Sequence, residues 1–228
     1  MIDRYLQKSE LSLPNDIQQL VNEQVAMMQS HLHQSVSKSD QELFSYPVPE
    51  LGEGGTCSLF GEVADKPFDL TSVLGKPTQY SRKVLGKLHS VVDYVVAKTQ
   101  LDWFGIYSTV ESEQDKRLVK LAYEGAISRS EYPLTEQFAQ ISNNVQVGLT
   151  GESKVINNVA KYVEQGGAYY TCDPKVKSEA CLPIYDGNNN VIGIVDAEAF
   201  NDNFFDSRCI ALLVASCVVI SGLLSMLS

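Results

Sequence analysis

Basic residues are scarce in this chain of 228 residues: 18 lysines and arginines stand against 28 acidic residues, for a net charge of −10, and no basic run breaks the pattern. A nucleic-acid backbone repels such a surface, so DNA and RNA are not expected partners. Histidine is rarer still. Of the three, His31 and His33 fall on different faces of a helical stretch and His89 stands alone on the surface of another, so no shared metal is expected. The five cysteines, Cys57, Cys172, Cys181, Cys209 and Cys217, are odd in number and lack Cys-x-x-Cys spacing, which argues against a disulfide framework and against zinc. No glycine-rich phosphate loop and no Ser-His-Asp arrangement is visible, and no cofactor is expected. The opening MIDRYLQKSE lacks the charged-then-apolar layout of a leader, so the expectation is a cytoplasmic chain with reduced thiols.

Hydrophobic residues make up 44% of the chain, enough to bury a sizeable core. Residues 209–227, CIALLVASCVVISGLLSML, are uncharged and about the length that spans a bilayer. They lack flanking Lys/Arg clusters and an aromatic belt, so no membrane is expected. The reading is a doubly buried helix, with the sheet on one side and a partner copy or the N-terminal helix on the other, and a homodimer is expected.

Near the N-terminus, Ile17, Leu20, Val21, Val25, Met28 and Leu32 recur at helical spacing, with a cap expected at Asn15. Residues 39–77 are rich in proline and glycine, hold no sustained period and read as a long connector. The chain therefore divides into an N-terminal helix and connector, 1–77, and a main domain, 78–228. In the latter, SRKVLGKLHSVVDYVVAKT predicts a helix, DWFGIYSTV and RLVKLAYEG a hairpin around ESEQDK, and 126–152 an irregular polar stretch. SKVINN predicts a short strand, VAKYVEQGG a helix, and SEACLPIYD with NVIGIVDAEA a second hairpin closed by GNNN. This order specifies an α+β domain with an antiparallel sheet and helices packed mainly on one face.

The chemistry concentrates in the last hairpin. In VIGIVDAEA, Asp196 and Glu198 share a strand face, so two carboxylates project together. Carboxylates this close repel as anions, which raises at least one pKa and keeps a proton available near neutrality. A solvent-facing edge strand gives the same pattern without chemistry, and alternation does not separate the two. Glu179 opens the run SEACLPI, of which either face can be buried. Trp103 and Tyr107 lie four apart on one strand face with Gly105 between them, leaving space beneath two aromatic walls or simply filling the core. Cys172 sits in YYTCDP, a turn-prone loop where a thiol meets solvent or a substrate. Cys181, Cys209 and Cys217 read as packing.

The spacing of Trp103, Tyr107, Cys172, Glu179, Asp196 and Glu198 resembles that of the free methionine-(R)-sulfoxide reductases, which are single GAF domains. The match lies in Cys172-Asp173, in Ser178-Glu179 with Glu179 seven residues after the cysteine, in GIVDAEA and in WFGIY, and it covers roughly residues 80–225. The resemblance implies a GAF-like fold and a closed pocket for a free amino acid. In it, Trp103 and Tyr107 enclose the methyl-sulfoxide end, Glu179, Asp196 and Glu198 address the ammonium group and the sulfoxide oxygen, and Cys172 is the nucleophile. It also implies a sulfenic acid intermediate and a thioredoxin-type reductant. The chain departs from the family at the resolving cysteines: YEGAISRS has none, and Thr150 in VGLTGES occupies the place of the second. Cys57, in the glycine-rich GEGGTCS, is the candidate substitute resolving thiol, against a reading as a small buried hydrophobe. The rival to catalysis is a GAF module that binds a small amino-acid-like ligand or senses oxidation.

Overall fold

The computed structural model describes residues 2–33, 38–52, 58–113, 115–170 and 173–227. Cys57 and Cys172 lie outside the described residues. The chain opens with α1 (Ile2–Lys8) and α2 (Asn15–His31). Asn15, expected as a cap, is the first helical residue of α2, and Pro14 precedes it with its fixed φ. The stretch read as a connector carries short elements: α3 (Asp40–Phe44), β1 (Ser45–Tyr46), β2 (Pro49–Leu51), β3 (Ser58–Val63), β4 (Phe68–Asp69) and α4 (Thr71–Leu74). Pairing of β1 with β4 and of β2 with β3 is what its proline-broken pattern concealed.

Next comes α5 (Gln79–Thr99), started by a reciprocal capping box between Thr78 and Ser81 and stopped by Gln100 in the left-handed conformation at φ 61°. The expected hairpins are β5 (Trp103–Glu111) with β6 (Lys116–Glu124), and β9 (Ser178–Tyr185) with β10 (Val191–Ala199). Residues 126–152, expected to be irregular, instead hold β7 (Glu131–Pro133), α6 (Glu136–Ala139) and α7 (Asn143–Thr150). These elements are short and capped by side chains, Thr135 for α6 and Ser142 for α7, so no long period reveals them. Between the hairpins lie β8 (Lys154–Ile156) and α8 (Val159–Glu164), and α9 (Ser207–Leu224) closes the chain, capped by the Asp206 carboxylate accepting from the Cys209 N–H at 2.8 Å.

The main sheet is antiparallel in the order β7-β6-β5-β10-β9-β8, so the two strands with the candidate aromatic and acidic residues are its central pair. Asp196 and Glu198 are therefore not on an edge strand, and the solvent-facing reading of them falls. Strand alternation divides the buried residues into two layers. On one face Phe104, Ile106, Leu182 and Val195 pack with α2, α5 and α9; on the other Trp103, Tyr107, Leu118, Cys181 and Ile194 pack with Tyr132, Phe138 and Val145.

Among the described residues α9 is the helix long and apolar enough to cross a membrane. Here it lies between the sheet and α2, with Ala211, Leu213, Val214 and Ala215 fully buried and Val21 and Met28 of α2 buried against the same core. The second covering of α9, for which a partner copy was one candidate, is supplied within the chain. Tyr5 of α1 ties the N-terminus to the sheet by donating its hydroxyl hydrogen to the Pro183 carbonyl at 2.8 Å. Apolar residues from both sides of position 77 thus enter one core.

Candidate functional site

Three carboxylates meet on the second face of the sheet. Glu198 is directly opposite Glu179 in the β9–β10 register, and Asp196 is opposite Cys181, one pleat away on the same face. Cross-strand neighbours of this kind stand about 5 Å apart at Cβ. Glu179 and Asp196 are buried, and Glu198 lies at the rim. Of the run SEACLPI, alternation sends Glu179 and Cys181 to this face and Ala180, Leu182 and Ile184 to the other core.

The helix α7 provides what the sequence reading missed. Ser142 caps it, Gly151 ends it in the left-handed conformation at φ 78°, and its first two residues point amides at the acids. Asn143 Nδ2 donates to Glu179 Oε1 at 3.1 Å, and Asn144 Nδ2 donates to Asp196 Oδ2 at 2.9 Å. The Tyr169 hydroxyl also hydrogen-bonds Glu179. Three buried oxygens at this place have no hydrogen-bond partner among the described residues: Asn143 Oδ1, Asn144 Oδ1 and Asp196 Oδ1. The signal that could have found α7 is Ser142 three residues before Val145, with Gly151 as a stop.

Tyr132, Ser142, Asn143, Asn144, Tyr170 and the three carboxylates line a space of about 10 Å³, room for about one water. A bound amino acid therefore requires this hollow to open. Its aromatic wall is Tyr132 with Tyr170, ring centroids 6.2 Å apart, backed by Phe138.

Trp103 and Tyr107 stand behind that wall in the same apolar cluster. The space expected beneath them is taken by Trp103 itself. A Cβ on Gly105 would come within 2.2 Å of the indole Cη2, so the glycine makes room for the ring to lie along its own strand. The indole Nε1 donates to the Ala126 carbonyl at 3.0 Å, and the Tyr107 hydroxyl donates to the Arg129 carbonyl at 3.3 Å. Trp103 is opposite Glu198 in the β5–β10 register, so the aromatic and acidic candidates are neighbours.

Electrostatics separates the three acids. Burial pushes Asp196 well above the usual carboxylate range, and Glu179 adds to it; the Asn144 amide and Lys120 oppose the shift. Burial, then Asp196, Glu179 and Asp173, push Glu198 up in the same way. Glu179 is also raised by burial, but the Tyr169 hydroxyl, the Asn143 amide and Lys154 all favour its ionised form. Burial therefore favours the protonated form of all three, and at Glu179 the Tyr169 hydroxyl, the Asn143 amide and Lys154 oppose it.

Of the cysteines, Cys181 is fully buried beneath the acids, its thiol pushed well up by burial and by Asp196. Cys217 is buried in the α9 core, and Cys209 is partly buried beside it. His89, expected at a helix surface, is half-buried, and burial lowers its pKa to about 4. Among the described residues no cluster of histidine, cysteine and acidic side chains is arranged to hold a metal ion.

No family model and no curated protein matches the sequence. Solved structures do match the fold. Type II free methionine-R-sulfoxide reductase from Thermoplasma acidophilum superposes with a TM-score of 0.53 at 18% identity, over 62% of this chain and 92% of its own. Free methionine-R-sulfoxide reductase from Neisseria meningitidis, solved in complex with its substrate, gives 0.53 at 18% over 68% and 83%. The GAF domain of a phosphoenolpyruvate-protein phosphotransferase from Acinetobacter gives 0.56 at 14% over 90% and 93%. At these identities the likeness is one of architecture, and it establishes that this chain has the GAF fold.

Proposed function

We propose that the chain reduces free L-methionine (R)-sulfoxide to methionine, with Cys172 as the nucleophile and Asp196 and Glu198 as the proton source. The observation that carries this reading is the buried meeting of Glu179, Asp196 and Glu198 next to the cysteine loop. Tyr170, two residues before Cys172, lines the hollow, and Asp173, the residue after it, acts on Glu198. Glu179, with donors that favour its anion, takes the substrate ammonium. The neutral carboxyls serve the sulfoxide oxygen, and Trp103 and Tyr107 back the apolar end. The solved Neisseria meningitidis reductase with its substrate supports a small amino acid as ligand of this fold.

In the reaction the Cys172 thiolate attacks the sulfoxide sulfur while a carboxyl proton goes to the oxygen. The sulfur is reduced to the thioether, and the oxygen passes to the cysteine, which becomes a sulfenic acid. A second thiol condenses with it, releasing water and forming a disulfide, and an external dithiol then reduces that disulfide by two successive exchanges, restoring both thiols and leaving as a disulfide itself. Cys57 is the in-chain candidate for the second thiol and a thioredoxin-type protein the candidate for the last. The cycle calls for a reducing compartment such as the cytoplasm.

A second reading, a GAF module that binds an amino-acid-like ligand or senses oxidation without turnover, is favoured by Thr150 at the expected cysteine position and by the small volume of the hollow. Turnover of free L-methionine-(R)-sulfoxide with dithiothreitol separates them. The reductase reading expects turnover by the wild type and none by Cys172→Ser. Binding without turnover establishes the module reading instead.

A further inference from the structure

The two asparagines that open α7 are held in a fixed sense. Asn143 Nδ2 donates to Glu179 Oε1 at 3.1 Å and Asn144 Nδ2 to Asp196 Oδ2 at 2.9 Å, so each amide turns its nitrogen to an acid and is left with its carbonyl oxygen. Those two oxygens have no hydrogen-bond partner among the described residues, although Asn143 is only 3% and Asn144 only 7% exposed. A buried acceptor without a donor is destabilising, so a pair of them lining one hollow calls for an occupant that carries hydrogens. Neither asparagine is among the residues on which the resemblance to the reductases rests.

The lining decides what the occupant is. The unmet groups are acceptors and the nearest ionisable groups are Glu179, Asp196 and Glu198, so the carboxylate or phosphate of a ligand has nothing to bond there and meets like charge. A water meets the two oxygens but brings no charge to the acids. A primary ammonium brings three hydrogens and a positive charge in about the volume of one water, which is the size of the hollow, about 10 Å³. We propose that Asn143 and Asn144 are specificity residues: their carbonyl oxygens take two hydrogens of a ligand's primary ammonium, Glu179 takes the third, and compounds whose amine is missing or acylated are refused. Asp196, with Oδ2 held by Asn144, keeps Oδ1 for another part of the ligand. The inference deepens the reading of this hollow as the ligand site and holds whether the ligand is turned over or only bound.

The test is calorimetric binding to the full chain of L-methionine-(R)-sulfoxide and of the same compound with hydrogen in place of the amino group. Cys172→Ser, which forbids turnover, is the parent, and Asn143→Leu and Asn144→Leu are added to it. The parent should prefer the amino compound by about a hundredfold, about tenfold for each amide oxygen. Each leucine variant should weaken the amino compound by about tenfold and leave the amine-free one within about twofold. Asparagines that only hold the fold would weaken both compounds alike, and that result overturns the proposal. So does equal affinity of the parent for the two, binding of neither, or calcium ion that competes with the amino compound and so claims the oxygens for a metal. If a leucine variant does not fold, the serine variant, too short to reach, is read by the same criteria. Turnover by the wild type with dithiothreitol is scored apart: preference without turnover ends the reductase reading and leaves this one, and turnover without preference does the reverse.

Discussion

Glu198 and Glu179 face each other across the β9–β10 ladder, a like-charge pair that a sheet avoids unless protons or cations intervene. Asp196 on the same face makes the conflict a three-body one. Because burial raises all three pKa values, folding favours the protonated forms. The sign follows: the stability they contribute is fully present below the ordinary carboxylate range and is lost as pH rises toward their folded values. Asp196→Asn is expected to flatten that decline and to raise the melting temperature at about pH 8. Melting curves across pH check this; an equal slope in the variant contradicts it.

His89 acts in the opposite sense. Its folded pKa of about 4 lies below the usual 6.5, so the stability it contributes is present above about 6.5 and is lost as pH falls toward 4. His89→Gln should remove this acid-side component, so that the melting temperature of the variant changes less than that of the wild type between those two values.

Trp103 is the one tryptophan of the chain, and its indole lies on Gly105. Gly105→Ala puts a methyl group where the ring is and forces it outward, at a loss of about 1–3 kcal/mol. The intrinsic fluorescence should shift to the red as the indole leaves its buried site. Unchanged emission with unchanged stability would refute the packing described.

Asn144→Ala removes the amide donor from Asp196 Oδ2. A buried acceptor left without its donor costs about 1–3 kcal/mol when ionised. Chemical denaturation should therefore show a loss that is smallest at low pH, where the carboxyl carries its own proton, and that grows as pH rises through the raised folded pKa of Asp196.

Met28→Ala tests whether the N-terminal helices and the sheet are one folding unit. Met28 is fully buried against the α9 core, and its truncation is expected to cost about 2–5 kcal/mol. The whole transition should move to lower denaturant as a single step. A separate early step, with the sheet unaffected, would show two units.

The hairpins were legible because each carries its own local instructions. Alternating β-rich runs bounded by ESEQDK and GNNN fix two antiparallel pairs, and the unbroken apolar periods of α2, α5 and α9 fix the long helices. The short elements in 126–152 were not legible, since a three-residue strand and a four-residue helix are too short to show a period. Lys120, fully buried against the rings of Tyr46, Trp103 and Tyr123, was hidden for a different reason: a lysine in a strand reads as solvent-facing until the aromatic rings around it are known.

Residue identity and spacing by themselves determined which side chains share a face: Asp196 with Glu198, Glu179 with Cys181, Trp103 with Tyr107, since a strand turns its side chains over every two residues. Which face is buried, and what stands opposite, only the tertiary structure decided. The order of strands put β5 beside β10, and α7 carried Asn143 and Asn144 to the acids from 36 and 52 positions away in the chain. Local pattern is written by neighbours in sequence; the charge state of a buried carboxyl is written by neighbours in space.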